Sequence, residues 1–368
     1  MRKIKKIVFG ITGLTIGGAE RVLVDIVNKL CDMYDITVFT LYANGDLEHE
    51  LHSRVKIKSI FNKAYSELNL IQRCFIPIIV LFFGKLIYKK YINGYYDTEI
   101  AFLEGPITRL FSMKNKGIKK IAWVHNDILK VFGDGKKAFI KKLIDKKIYS
   151  KYDKIILVSE DNLNIFNKQY NLIGKTQVVL NYVEPKRIIE GSKEKIETIF
   201  SKKQTNIVSV SRLVEQKAID RFIKVHARLI RSGIKNKVYI IGEGPLKNEL
   251  EKKINELNVD KTFILLGKKE NPYPFIKNSD CFCLLSHYEG LPISVLEAKV
   301  LKKPIIVTNT AAREAIKNYS NGYICENTEN DIYNTLCDFI SNKKFFVNKN
   351  DCYDNGETII KNIIQIIE

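Results

Sequence analysis

The feature that most restricts this chain is an alternation that runs through it twice. Short runs rich in Ile, Val, Phe and Leu are separated by longer stretches with apolar residues every three or four positions. In the first half the short runs fall at Lys6–Thr12, Ile36–Tyr42, Val55–Ile60, Thr98–Leu103, Lys120–His125, Lys154–Ser159 and Gln177–Tyr182. Helical periodicity lies between them at Ala19–Cys31, Leu70–Tyr91 and Lys136–Tyr149. Apolar strands divided by helices predict a parallel sheet covered on both faces, the doubly wound α/β arrangement. After Val183 the pattern breaks. Residues Glu184–Gln204 are charged and contain Pro185 and Gly191, which predicts a linker. The alternation then restarts, with strands at Asn206–Ser211, Lys237–Ile241, Phe263–Leu266, Cys281–Leu285 and Pro304–Thr308, and helices at Ala218–Arg231 and Pro245–Leu257. The polar stretch Asn342–Asp354 precedes a last helical segment, Thr358–Ile367.

The expectation is therefore two Rossmann-like domains facing a central cleft. The first spans 1–183, a linker 184–204, the second 205–350, and a C-terminal helix within 351–368 returns to the first domain. A length of 368 residues suits two domains. In such sheets ligands bind at the carboxyl ends of strands, so the site is expected in the cleft.

Charge is unevenly placed. Residues 1–183 carry 30 Lys and Arg against 17 Asp and Glu, and residues 184–368 carry 30 against 24, within a net +19. That bias favours anionic partners: a phosphorylated substrate, an anionic membrane or nucleic acid. No zinc, helix-turn-helix or RNA-binding pattern accompanies it, so nucleic acid is not expected. Seven cysteines without a Cys-x-x-Cys pair read as reduced thiols of a cytoplasmic protein. The basic, apolar N-terminus imitates a secretory leader, yet its glycines and Glu20-Arg21 make it a strand, a turn and a helix instead.

Several strand ends carry polar chemistry. Cys281–Leu285 runs into Ser286-His-Tyr-Glu-Gly-Leu-Pro-Ile-Ser-Val-Leu-Glu297. Here a turn containing Glu289 and Gly290 leads to a helix start at Leu291–Ser294, with Pro292 in its first turn and Glu297 in its third. A helix N-terminus offers free N–H groups and a positive dipole end to a diphosphate, and carboxylates bind neighbouring hydroxyls. Next, Ser211-Arg212-Leu-Val-Glu-Gln-Lys217 supplies two cations five residues apart, suited to a diphosphate leaving group. Gly242-Glu-Gly244-Pro245 and Gly17-Gly18 are glycine turns where backbone can approach a phosphate or sugar, although tight turns need glycine for structural reasons alone. His125 ends a strand and precedes Asn126-Asp127. A lone strand histidine is commonly a satisfied core residue, but the polar neighbours favour a role in a site. No Asp-x-Asp tripeptide occurs, so no Mg²⁺ or Mn²⁺ is expected; Arg212, Lys217 and the helix dipole carry that task.

Together these residues resemble the retaining glycosyltransferase family 4, of GT-B fold, over essentially the whole chain. Gly17-Gly18-x-Glu20, Ser211-Arg212…Gln216-Lys217, Gly242-Glu-Gly-Pro245 and Glu289-x7-Glu297 carry the resemblance. It implies transfer of a sugar from a nucleotide donor, a UDP-sugar favoured, with retention of configuration. By resemblance Glu297 holds the ribose, Glu289 the sugar hydroxyls, and Arg212 and Lys217 the diphosphate. His125 lies near the transferred sugar, Gly17 and Gly18 close over the phosphates, and Gly242, Gly290 and Leu291 complete the donor site. Ala218 departs from the family's glycine, which bears on the turn that carries Lys217. The overall look is that of bacterial capsule, exopolysaccharide and lipopolysaccharide assembly enzymes, with a saccharide or lipid-linked acceptor. The alternatives are a catalytically inactive partner of another transferase and a GT-B nucleotide-sugar epimerase.

Finally, Leu70–Tyr91 joins a dense apolar, aromatic run to Arg73, Lys85, Lys89 and Lys90. It is too short and too charged to span a bilayer, and predicts docking on the anionic inner face of the cell membrane. The plainer reading is a core helix with its lysines outside.

Overall fold

The computed structural model describes residues 4–64, 67–113, 117–125, 136–197, 200, 203–342 and 356–368. The expected polar residues Asn126 and Asp127 and most of the polar stretch before the last helix lie outside them. The chain divides into two compact units, Met1–Val183 with Glu357–Glu368, and Glu184–Gly356.

In the first unit seven strands, among the described residues, form one sheet in the order β3-β2-β1-β4-β5-β6-β7. They are β1 Lys6–Ile11, β2 Asp35–Tyr42, β3 Lys56–Phe61, β4 Thr98–Ala101, β5 Lys119–Val124, β6 Lys154–Leu157 and β7 Thr176–Val178. All pairings are parallel. β1, β2 and β4 are buried almost throughout, as strands covered on both faces must be. The edge strand β3 instead exposes Lys56 and Lys58, a charged border that discourages pairing with another chain. The helix Gly18–Leu30 follows β1 and buries Val22, Leu23, Ile26, Val27 and Leu30, the i, i+4 face its periodicity predicts.

In the second unit six strands, among the described residues, repeat the plan in the order β10-β9-β8-β11-β12-β13, again all parallel. They are β8 Thr205–Val210, β9 Asn236–Ile241, β10 Phe263–Gly267, β11 Cys281–Leu284, β12 Ile305–Thr308 and β13 Gly322–Cys325. In both sheets strand order reverses beside the first strand of its unit, between β1 and β4 and between β8 and β11. That is the switch point where open sheets bind ligands.

Two features differ from expectation. The stretch 184–204, expected as a linker, begins with the helix Pro185–Gly191 and belongs to the second unit. Ile188 is fully buried, and Asn271 donates to the Gly191 carbonyl at 2.8 Å. β13 is the second, since a four-residue edge strand that runs from half-buried Gly322 and Tyr323 through exposed Ile324 to buried Cys325 is too short to leave a periodic signal. The helix Glu357–Ile367 buries Ile360, Ile363, Ile366 and Ile367 within the first unit. Its end is fixed by Tyr34 Oη donating to Glu368 Oε1 at 2.9 Å. Burial, then this bond, raises the Tyr34 phenol to about 12.

Candidate functional site

In the second unit the loops after β8 and β11 leave adjacent strands, which brings their polar residues together although they lie 72 positions apart. The His287 N–H donates to the Gln216 carbonyl at 2.9 Å, and Gln216 Nε2 returns a bond to the Tyr288 carbonyl at 3.0 Å. At the crossing Lys217 Nζ donates to Glu289 Oε1 at 2.6 Å, and Ser286 Oγ donates to the same oxygen at 2.5 Å. The Glu289 loop is pinned from behind. Arg221 Nη2 holds the Leu285 carbonyl at 2.5 Å, Thr308 Oγ1 the Ser286 carbonyl at 2.7 Å, and Asn327 Nδ2 the His287 carbonyl at 2.9 Å. A carboxylate held so firmly has little orientational freedom left to lose on meeting a ligand.

Lys217 ends a 3₁₀ turn, and Ala218 follows in the left-handed region at φ 50°, ψ 37°. The methyl is therefore accommodated in the backbone conformation that glycine takes without strain. Arg212 lies exposed on the same loop, and its guanidinium has no hydrogen bond or ion pair among the described residues. The glycines of the next turn serve packing. A Cβ at Gly242 (φ 147°) would lie 2.0 Å from the Ser211 carbonyl oxygen, and one at Gly244 would lie 2.3 Å from that of Leu213. Only glycine lets this turn press against the backbone that carries Arg212.

The helix after the Glu289 turn starts at Ile293, with Pro292 in the capping position. Glu297 accordingly stands in its second turn, not the third. Gly290 is half-buried, and Leu291, Glu289 and Glu297 are buried. Tyr273 Oη donates to Glu297 Oε1 at 2.8 Å, and Arg187 donates to the same phenol oxygen.

In the first unit Gly17 stands at the capping position of the helix Gly18–Leu30, beyond the carboxyl end of β1, with Gly18 exposed beside it. Gly17 is extended (φ −154°), a conformation open to any residue, so its glycine is not required by the backbone. His125 directly follows β5. Its N–H donates to Glu104 Oε1 at 2.5 Å, and its ring lies against Phe102 (4.8 Å) and stacks on Trp123 (6.3 Å). Burial pushes its pKa down to about 3, against a hydrogen bond to the Phe102 backbone, so the imidazole is neutral near pH 7. Its Nε2 is buried and has no partner among the described residues. His226, in the second unit, shows the satisfied alternative: Nδ1 meets Asn236 at 2.8 Å and Nε2 meets Thr262 at 2.9 Å. A buried polar atom left open at a strand end calls for a partner.

Among the described residues no three His, Cys, Asp or Glu side chains gather as metal ligands. Two contributors escaped the sequence reading. Ser286 carried no signal beyond its place at a strand end. Tyr273 did carry one: prolines on both sides, Pro272 and Pro274, fix where its helix begins.

Residues 192–357 match the family of glycosyl transferases group 1. The chain is 33% identical over 216 residues to an uncharacterised glycosyltransferase of Methanocaldococcus jannaschii, spanning about half (53%) of that relative's length. It is 25% identical, over 89% of its own length and 88% of the other, to the Campylobacter jejuni enzyme described as N-acetylgalactosamine-N,N'-diacetylbacillosaminyl-diphospho-undecaprenol 4-alpha-N-acetylgalactosaminyltransferase. In structure it matches HepE of Anabaena, solved with UDP and glucose, at a TM-score of 0.72 and 15% identity, over 99% of this chain and 97% of that one. The two parallel-sheet domains are thus those of the GT-B fold.

Proposed function

We propose that this protein, whose second unit carries a glycosyl transferases group 1 domain, moves a sugar from a nucleotide donor to a saccharide or lipid-linked saccharide acceptor, with retention of configuration, in bacterial surface polysaccharide synthesis. The observation that carries the proposal is the cluster of Lys217, Ser286 and Glu289 at the switch point of the second sheet. UDP is the favoured nucleotide, in keeping with the ligand of the Anabaena structure, and the undecaprenol-linked substrate in the Campylobacter relative's name supports a lipid-linked acceptor.

In this proposal Lys217 turns from Glu289 to the diphosphate, joined by the exposed guanidinium of Arg212, and the two cations stabilise charge as the sugar–phosphate bond breaks. Metal is not required for that step. Glu289, still held by Ser286, accepts hydrogen bonds from the donor sugar, and Glu297 accepts from the ribose. Neutral His125 offers its open Nε2 to a hydroxyl of the transferred sugar. Gly17 and Gly18 approach the phosphates, while the backbone at Gly242, Gly290 and Leu291 shapes the donor pocket. A panel of UDP-, GDP- and ADP-sugars, scored by release of nucleoside diphosphate with and without EDTA, tests the reading. Donor turnover that survives EDTA is expected; no turnover with any donor would favour the inactive-partner alternative.

Peripheral contact with an anionic membrane belongs to the same proposal. In the helix Leu70–Tyr91 the side chains of 70–77, Arg73 included, lie outside the described residues. Farther along, Val80, Ile87 and Tyr88 face the core, whereas Phe82 (74% exposed), Phe83 and Leu86 face outward. The helix is therefore apolar on both sides. Beside it a groove of about 810 Å³ is lined by Lys85, Lys89, Arg109, Lys147 and Lys151 around Tyr88. An exposed apolar face ringed by cations suits a bilayer interface. Among the described residues no helix is long and apolar enough to cross a membrane. Co-sedimentation with anionic liposomes at low salt should fall when Lys85, Lys89 and Lys90 are all changed to Glu. Indifference to the three reversals would return this helix to the core-packing reading.

A further inference from the structure

The second carboxylate of the proposed donor site, Glu297, depends on residues outside the motifs that pointed to that site. Glu297 is buried, and its Oε1 receives the Tyr273 hydroxyl at 2.8 Å. Tyr273 is itself 7% exposed and opens the helix Tyr273–Asn278. The phenol oxygen has one proton to give, and Arg187 decides where it goes. The Arg187 guanidinium donates to the phenol oxygen and lies 5.4 Å from the ring centroid, so the phenol hydrogen is left to point at Glu297. Both ends of the relay are braced. The Tyr273 N–H is held by Asn271 Oδ1 at 3.1 Å, and Asn271 also donates to the Gly191 carbonyl and to Glu194 Oε2 at 2.6 Å. A Cβ at Gly191 would come within 2.8 Å of the Tyr273 ring, so the helix Pro185–Gly191 fits the phenol edge only with glycine there.

We propose that Arg187 and Tyr273 are positioning residues that fix the Glu297 carboxylate for ribose recognition. The inference rests on Glu297 receiving the ribose, as the proposed function has it. A carboxylate on a helix has several staggered side-chain conformations open to it, and a ribose diol needs its acceptor in one of them. A charge-assisted bond from a buried phenol, itself held by a cation, selects that conformation before the nucleotide arrives. Burial, and then the Glu297 charge, raise the Tyr273 pKa, which keeps the phenol protonated and able to donate. Arg187 and Tyr273 touch no ligand in this scheme. They act through Glu297.

The test compares binding of UDP and 2′,3′-dideoxy-UDP by calorimetry in wild type, Tyr273→Phe, Arg187→Gln, Glu297→Ala and the Tyr273→Phe/Glu297→Ala double variant. Wild type should prefer UDP over the dideoxy compound. Tyr273→Phe should lose about tenfold in UDP affinity, the scale of one charge-assisted hydrogen bond, with little change for dideoxy-UDP. Arg187→Gln should do the same less strongly, and Tyr273→Phe should add nothing once Glu297 is Ala. Equal losses for both nucleotides, or a full additional loss in the double variant, would overturn the positioning role and leave Glu297 recognition intact. A wild type indifferent to the ribose hydroxyls would instead overturn the Glu297 assignment beneath it. Thermal melts of each variant separate these outcomes from misfolding, since a fold defect weakens both nucleotides alike.

Discussion

A lysine–glutamate pair at 2.6 Å occurs in each unit, yet the two pairs are held differently. In the first unit Lys120 on β5 meets Glu99 on β4, and the side chains are 5% and 0% exposed. All three Lys120 N–H groups are spent: on Glu99, on Tyr88 Oη at 3.1 Å and on the Phe111 carbonyl at 2.8 Å. Burial lowers the Lys120 pKa even though Glu99 pulls it upward. This pair is a sealed joint that ties the helix Leu70–Tyr91 and the chain near Phe111 to the sheet. In the second unit Lys217 and Glu289 are 13% and 5% exposed, and Lys217 spends one of its N–H groups on a partner. Its loop lies past the end of a strand, where a ligand can replace that partner. The same chemical pair is structural where every donor is used and the site is closed; where donors remain and the site opens at a strand end, the proposed function gives it to the ligand.

The largest expected effect would break this comparison if it failed. Lys120→Ala leaves Glu99 charged and buried, so it should cost about 3–5 kcal/mol of stability. Lys217→Ala should leave the melting temperature nearly unchanged and slow donor turnover about 100-fold, as should Arg212→Ala. Thermal melts and initial rates on the same preparations check both. A Lys217→Ala protein that melts as low as Lys120→Ala would make the second pair a structural joint as well.

Glu289 and Glu297 sharpen the functional side. Glu289→Ala should cut turnover while nucleoside diphosphate still binds, and Glu297→Ala should mainly weaken nucleotide binding. Each loss is expected at roughly 10- to 150-fold, the worth of a charged hydrogen bond. Equal, small effects in kinetics and calorimetry would remove both from the donor site.

Acid acts on both buried histidines in the same direction. Folding holds His125 down at about 3 and His226 at about 4, below an unfolded value near 6.5. The unfolded chain therefore takes up protons that the folded one refuses. The stability at stake is fully present above about pH 6.5 and is lost as pH falls toward those folded values. Melts from pH 7 to pH 5 should fall less in His125→Gln than in wild type, by on the order of 1–2 kcal/mol in stability at pH 5. A pH dependence unchanged by the substitution would place the His125 proton uptake outside this range.

Ala218→Gly should give the smallest effect. Glycine relieves the left-handed strain of a residue at φ 50°, but gains unfolded-state freedom and loses a buried methyl. The net change should stay within about 1 kcal/mol, with turnover within about twofold. A larger change in rate would show that the methyl shapes the loop bearing Lys217.

The amino-acid sequence determined whatever rests on local periodicity and strand-end chemistry. The helix Lys136–Tyr149 and the strand β2 could be read because apolar spacing near 3.6 residues and a short run rich in apolar residues are both written in neighbours. Arg212, Lys217, Glu289 and Glu297 could be picked out because each follows a recognisable strand or lies in the first turns of the helix after it. Tertiary structure alone decided which of these residues meet. The Lys217–Glu289 bond links residues 72 apart and depends on β8 lying beside β11. Likewise Tyr273 reaches Glu297 across 24 residues and Arg187 reaches Tyr273 across 86. It also decided that Phe82 faces outward while Val80 is buried, and that the helix Pro185–Gly191 is a braced part of the second unit. Periodicity reports that a residue has an apolar or polar side to satisfy. Which partner satisfies it is fixed by strand order, because hydrogen bonds and burial act across space between segments that share no local sequence signal.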